Sequence, residues 1–432
     1  MMRRNPLRLL IRLVSMAAVV AGLAGCMSDS IIDDSSSVPR LGEEREKRIV
    51  VWHTYSDEET LVFEREVIPA FESEHPGIVV ESVRQTHNQE YHAALQARAS
   101  AGKTPDIIRM DYTWVPVFAQ RGLLQPLDDF ADYGEVASQL GGRMLETNRF
   151  HGRVYGVPLN VTTKAAIYNA ALLEELGLAE PPASFAELAG LAEQHSYIIG
   201  MSGIELWHSL PYFMALGGRL ADAGFTRAAG YLDSAESVQA MEELRRLFQQ
   251  GVINPWMLEG SADLWKEVYT SNRILMIDDG PWYYSILLNS VSVEADLLQR
   301  TVPTPFPSDG DYGSIIGGES LVMTRGARNK QEAWTFMGWM TSEATQLKLM
   351  EAGLIPANTK AFEAGQAANS AYLMPYMEGI SDAFYRPSIP EWNAIELLYA
   401  AAMEDIFIAG RDVRETLADT ARQIDLILAD SR

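Results

Sequence analysis

Side chains able to do covalent chemistry are few in this chain, and their spacing is poor for it. Cys26 is the single cysteine in 432 residues, and the seven histidines form no HExxH pair. His87 and His92 are five apart, off one helical face, and read as solvated side chains rather than as metal ligands. Ser100-Ala-Gly-Lys103 fits SxxK, a nucleophile and base at acyl-transfer spacing, but no KTG accompanies it. No GxxxxGK[ST], GxGxxG or GxSxG occurs, which removes the phosphate-cradling glycine loops and the serine elbow. Carboxylates are abundant and compatible with a glycosidase-type pair, yet nothing singles such a pair out. The expectation is a protein that is not an enzyme and uses neither metal nor cofactor.

Cys26 takes its meaning from what precedes it. Arg3, Arg4, Arg8 and Arg12 come without any acid, and residues 13–25 are apolar or small apart from Ser15. A basic start, a short apolar run and small residues at its end make a secretory signal over residues 1–25. The run is well short of the ~20 residues that span a bilayer. Leu23-Ala24-Gly25-Cys26 resembles the bacterial lipobox, in which the thiol receives a diacylglyceryl group and the preceding peptide bond is cut. An ordinary secretory signal that happens to contain a cysteine is the plainer alternative. With no second cysteine, an exported chain has no intramolecular disulfide open to it. Residues 27–47 are rich in Ser, Asp and Glu and read as a solvated tether, which as a flexible coil spans roughly 25 Å. The expected location is extracytoplasmic, with Cys26 anchored in the cell membrane or the outer membrane.

The formal charge is −23, and losing a leader with four arginines and no acid takes it to −27. That argues against nucleic acid and anionic membrane surfaces as partners, but says little about a small ligand in a local pocket.

From residue 48 onward strands and helices alternate. Residues 48–54 read as a buried strand. Ser56 to Glu59 is a capping box, and the helix behind it sets Phe63, Val67, Ala70 and Phe71 on one face. His75-Pro-Gly77 stops that helix. Strands follow at 78–83 and 104–111, with a helix at 89–101 between them. Strand, helix, strand, helix, strand with short links implies a parallel sheet with right-handed crossovers. Beyond Asp128 the pattern is less regular. Extended stretches are expected at 155–160, 164–168, 273–277, 302–307 and 314–324. Helices are expected after Ser184, over 234–250, and through the last third of the chain.

Four segments carry a family likeness: "VVWHTYSDEETLVFEREVIPAFESEHPGIVVE", "GKTPDIIRMDYTWVPVFAQRGLLQPLDD", "YGVPLNVTTKAAIYNAALLEELGL" and "EAWTFMGWMTSEATQLKLMEAGLIPANT". Together, and in this order, they resemble the maltodextrin-type extracellular solute-binding proteins of ABC importers. The resemblance implies an α/β, two-lobed periplasmic-binding-protein-like fold. Each lobe would be a mostly parallel sheet flanked by helices, and a multi-strand hinge would join the two. Lobe one would take residues 48–158 and 303–355, and lobe two 159–302 and 356–432. It also implies a monomeric receptor that captures a sugar or oligosaccharide and delivers it to membrane permease subunits. A receptor for a non-sugar polar solute, such as a glycerol phosphodiester, is the alternative within the class. A surface lipoprotein enzyme acting on glycans is the alternative outside it.

In open α/β sheets ligands bind beyond the carboxyl ends of strands. This places His53 after the first strand, Asp111 and Tyr112 after the third, and Asn160 after the crossing at Pro158. Trp282 follows the strand at 273–277, and Gly317-Gly318-Glu319 interrupts the stretch at 314–324. Family members often place ligand contacts in the corresponding loops. A sugar ring stacks on an aromatic face, and its hydroxyls pair with carboxylates, amides and guanidinium groups. Asp111 and Glu319 are the candidate acceptors, Trp282 or Tyr283 the platform, and Arg386 a forked donor. Trp207, in an aromatic-rich segment, is a further candidate ring, and there are second readings: Asp111 as a helix cap, His53 as a structural histidine, Trp282 and Trp207 as core. Trp114, Trp256, Trp265 and Trp392 read as packing, and so do Trp334 and Trp339. Glu319 stands where an aromatic or small residue is more usual after such a glycine pair, so it is either a ligand-specific acid or a hinge hydrogen-bonder.

Overall fold

A computed structural model describes residues 46–86, 94–95, 97–98, 101, 103–254, 264–289 and 296–430. Cys26 and residues 27–45 of the tether, His87, His92, Ser100 and Trp256 lie outside the described residues, as does most of the helix expected at 89–101, while Lys47 already belongs to the first strand.

The strands are β1 (Lys47–His53), β2 (Ile78–Arg84), β3 (Ile107–Asp111), β4 (Arg149–Phe150), β5 (Arg153–Val154), β6 (Gly156–Thr162) and β7 (Ala165–Asn169). They continue with β8 (Ile198–Gly200), β9 (Ile274–Asp279), β10 (Thr301–Pro305), β11 (Ser314–Met323), β12 (Ile355–Pro356) and β13 (Ala383–Tyr385). A seven-stranded sheet has the order β12-β6-β11-β3-β1-β2, with β13 joined to β11; a four-stranded sheet runs β10-β7-β9-β8, and β4 and β5 form a small hairpin.

The expected start is present. Ser56 caps the helix Asp57–Val62 with a complete capping box, and the turn of π-helix Phe63–Val67 buries Phe63 and Val67. Ile68–Glu74 then ends at His75, with Gly77 at φ 95°. β1 pairs in parallel with β2 and β3. The sheets are otherwise mixed: β11 is antiparallel to β3 and β6, and β7 is antiparallel to β9 and β10.

The chain leaves the first sheet at Thr163 and Lys164, between β6 and β7, and returns between β10 and β11. Residues 159–162, expected with the second lobe, continue β6 in the first sheet. Residues 303–305, expected with the first lobe, pair with β7 in the second. Ile49, Val51, Phe71, Leu321 and Trp334 share one core beneath the first sheet. Tyr168, Phe213, Met241, Trp392 and Ile424 share another beneath the second. The closing helix contributes Val413, Leu417, Ala421, Ile424 and Leu428 to it, the face its periodicity marks.

Candidate functional site

A cleft of about 1340 Å³ opens where the strand ends of the first sheet face the loops and helices of the second. That exceeds the roughly 300–1,000 Å³ of an ordinary small-molecule pocket. Asp111, Asn160, Trp207, Trp282, Gly318, Glu319 and Arg386 all line it.

Register builds its floor. Glu319 of β11 lies directly opposite Asp111 of β3 on one side and Asn160 of β6 on the other. Carboxylates opposite one another repel, and here each has its own buried arginine. Arg109, 3 % exposed, donates from Nη2 to Glu319 Oε2 at 2.9 Å and to Asn160 Oδ1 at 3.2 Å. Its Nη1 donates to Thr54 Oγ1 at 3.0 Å, and the guanidinium lies 4.4 Å from the Tyr55 ring centre. Asn160 Nδ2 donates to the same Glu319 oxygen at 2.7 Å. Arg386 donates from Nη2 to Asp111 Oδ2 at 2.8 Å and from Nε to the Ile316 carbonyl at 2.9 Å, and its Nη1 lies 3.7 Å from Glu396.

Asp111 also accepts from the Thr113 backbone N–H at 2.9 Å, so it caps the turn after β3 while facing the cleft. Burial pushes the Asp111 carboxyl up, but Arg386 and the two Thr113 donors outweigh it and hold it below the usual range. The Glu319 loop requires glycine: Gly318 sits at φ 137°, and a Cβ there would come within 2.4 Å of the Asn160 carbonyl oxygen.

The aromatic wall comes from the second sheet. Gly280 and Pro281 turn the chain from β9 into the helix Trp282–Asn289, which puts Trp282 at its first position on the cleft. Trp207, on the helix Leu206–Ala215, has its ring centre 6.3 Å from that of Trp282 at a 31° tilt. Arg386 lies 5.4 Å from the Trp207 ring centre, and a Cβ on Gly317 would meet the ring edge at 2.9 Å. Trp207 is thereby held in place, and the Trp282 ring lies over Gly280, where a Cβ would meet it at 2.3 Å. Trp114 and Trp265, read as packing, do pack against apolar cores and also reach the edge of the cleft. Trp392 and Trp334 are core, as expected.

Three candidates do not reach the cleft. His53 is fully buried, with Nε2 2.8 Å from Ser82 Oγ and Nδ1 accepting from the Tyr55 N–H at 3.3 Å. Burial, then Arg109 and Arg84, lowers its pKa to about 3, so it is neutral. Tyr112 is fully buried, its hydroxyl donating to the carbonyls of Ile316 and Arg386. Tyr283 is fully buried, donating to the Trp265 carbonyl. The strand-end rule finds the right loop, but the alternation of side chains decides the face. His53 continues the inward row of Ile49 and Val51, while Tyr112 and Tyr283 each sit one residue past a cleft-facing neighbour.

Sequence reasoning missed Arg109, Asp279 and Glu396. Arg109 had a visible mark, a charge inside the apolar strand IIRMD, because a buried charge requires partners. Asp279 accepts from the Trp265 indole and from the Gly280 N–H, and burial pushes it up to about 6 against the pull of Lys164. Glu396 accepts from the Trp392 indole at 2.7 Å, and burial raises it to about 6 despite Arg386. Among the described residues, no group of His, Cys, Asp and Glu is arranged to hold a metal ion, and no helix is long and apolar enough to cross a membrane.

Residues 66–375 match the family model of the bacterial extracellular solute-binding proteins. The chain belongs to this family. A binding protein of Brucella abortus is 25% identical over 378 residues, covering 84% of this chain and 89% of its own. The maltotriose-binding protein of Pyrococcus abyssi is 25% identical over 366 residues, covering 81% and 75%. An ABC transporter solute-binding protein of Thermotoga lettingae, solved with α-D-tagatose, superposes with a TM-score of 0.77 at 24% identity, covering 88% of this chain and 100% of its own. The cleft of this family member lies between its two larger sheets.

Proposed function

We propose that this protein is a lipid-anchored receptor that captures a sugar or oligosaccharide between its two halves and delivers it to the permease of an ABC importer. The observation that carries the reading is the composition of the cleft. An indole platform, Trp282, stands on one wall, and pre-oriented hydrogen-bonding groups, Glu319, Asn160 and Asp111, stand on the other. Apolar ring faces and hydroxyl-pairing oxygens are what a saccharide requires. The maltotriose named for one relative and the tagatose bound to one neighbour point the same way.

No bond is made or broken in this function. Ligand touching both walls binds the closed form better and shifts the population toward it. Cys26 would hold the receptor at the membrane, and Cys26→Ala would move it from the membrane fraction to the soluble one. The deciding experiment is a panel of oligosaccharides and glycerol phosphodiesters, read by melting shift and by product analysis. Saccharide-dependent shifts without turnover support a receptor, whereas turnover marks a glycan-active enzyme. Shifts only with the phosphodiesters mark a receptor for a different solute.

A further inference from the structure

The cleft holds more acid than base, and its bases are already occupied. Glu59, Asp111, Glu205, Asp279, Glu319 and Glu396 line it against Arg84, Arg109 and Arg386, with no lysine among the described lining residues. Arg109 is bound to Glu319, Arg386 to Asp111, and Arg84 to Asp57 and the Tyr55 carbonyl. His208 also lines the cleft, but burial, with Lys164 adding to it, lowers its pKa to about 3 and leaves it neutral. Lys164, the cation whose charge acts on Asp279, is buried in its own pair with Asp278. Among the described lining residues, each arginine is therefore already engaged with a carboxylate, so a ligand carboxylate or phosphate would have to compete for it.

Asp279 and Glu396 occupy the second-sheet wall without a dedicated cation of their own, Glu396 having only the 3.7 Å approach of an arginine committed to Asp111. Among the described lining residues, the buried side-chain atoms without a partner are the hydroxyls of Tyr55 and of Thr162, the latter on a residue 8 % exposed, Asn393 Oδ1, Nδ1 of the neutral His208 and Nε of the already paired Arg109. The two hydroxyls, the amide oxygen and the neutral imidazole nitrogen can pair with the hydroxyls of an uncharged ligand. A bound anion would face two carboxylates in a partly desolvated cleft, where like charges cost most.

We propose that the cleft selects its saccharide by charge, with Asp279 and Glu396 excluding uronates and phosphate esters while uncharged sugars are admitted. This rests on the receptor reading above. The test is calorimetry on the full chain with neutral trisaccharides of glucose, galactose and mannose, each beside its C6-oxidised uronate and its 6-phosphate. The expected result is a neutral binder whose uronate and phosphate bind at least about tenfold more weakly. In Asp279→Asn and Glu396→Gln the ratio of uronate to neutral Kd should fall toward one, a comparison that does not depend on either variant keeping its full affinity. Neutral and anionic forms bound alike, or ratios unmoved in both folded variants, would overturn the charge filter and leave the receptor intact. Absence of binding by every neutral sugar would overturn the receptor reading and the filter with it.

Discussion

The Trp282 indole and the Glu396 carboxyl both depend on burial, but in different ways. Trp282 presents an apolar face that a sugar ring can cover, so Trp282→Ala should weaken saccharide binding by about 1 kcal/mol or more, roughly fivefold in Kd. Unchanged affinity in a folded variant, by calorimetry, would remove this ring from the site. Glu396 is held near 6 in the folded chain against 4.5 for the free side chain. Because its folded pKa is the higher one, its contribution to stability is full below about 4.5 and is lost as pH rises through about 6. The difference corresponds to about 2 kcal/mol. Glu396→Gln removes the titration and keeps an acceptor for the Trp392 indole. The variant should therefore gain about 2 kcal/mol relative to the parent between pH 4.5 and pH 7.5, read by urea unfolding at both values. Equal differences at the two pH values would mean that Glu396 titrates as an ordinary solvated acid.

At the scale of elements, the link between β6 and β7 is fastened at several points. Lys164, 1 % exposed, is ion-paired with the fully buried Asp278, which also accepts from the Tyr212 hydroxyl at 2.6 Å. Thr163 Oγ1 donates to the Ile315 carbonyl at 2.9 Å, and Ser314 Oγ donates to the Lys164 carbonyl at 2.9 Å. Removing one partner of a buried pair leaves a charge without compensation, so Lys164→Met should cost about 3–5 kcal/mol. Lys164→Met combined with Asp278→Asn should recover most of that, and a double-mutant cycle in urea measures the coupling. Purely additive losses would show the pair to be no clamp. Local elements were largely legible in the sequence because their causes are local: the Ser56 capping box, the Ser234 cap with the buried face of Ala235–Gln249, and the face of the last helix. The floor of the cleft was legible only in part. Asp111, Asn160 and Glu319 are found by the strand-end rule, but the partner that orders Glu319 is Arg109, 210 residues away, and only pairing of β3 with β11 brings the two together. His53, Tyr112 and Tyr283 failed for the complementary reason, since which face a side chain takes is fixed by pleat and helix rotation rather than by its loop.

At the scale of the whole molecule, both walls of the cleft belong to one chain that crosses between its sheets in the links from β6 to β7 and from β10 to β11. Glu319 and Arg109 stand on the first sheet, while Trp282 and Glu396 stand on elements of the second, so one saccharide can contact both only across the gap. Its binding energy then favours the closed arrangement by the difference in contacts between the two states, and moving a 1:99 equilibrium to 99:1 takes about 5.5 kcal/mol of such difference. Closure should appear in solution scattering as a smaller radius of gyration at saturating concentrations of the trisaccharide that gives the largest melting shift. Trp282→Ala should close less completely at equal occupancy, because it removes the second-sheet half of the contact and leaves the Glu319 half in place. A radius that stays the same at full occupancy would show that the two halves are already locked together and that recognition proceeds without hinge motion. The fastening of the β6–β7 link by Lys164 and Asp278 would then be the device that fixes the angle, rather than the pivot about which it changes.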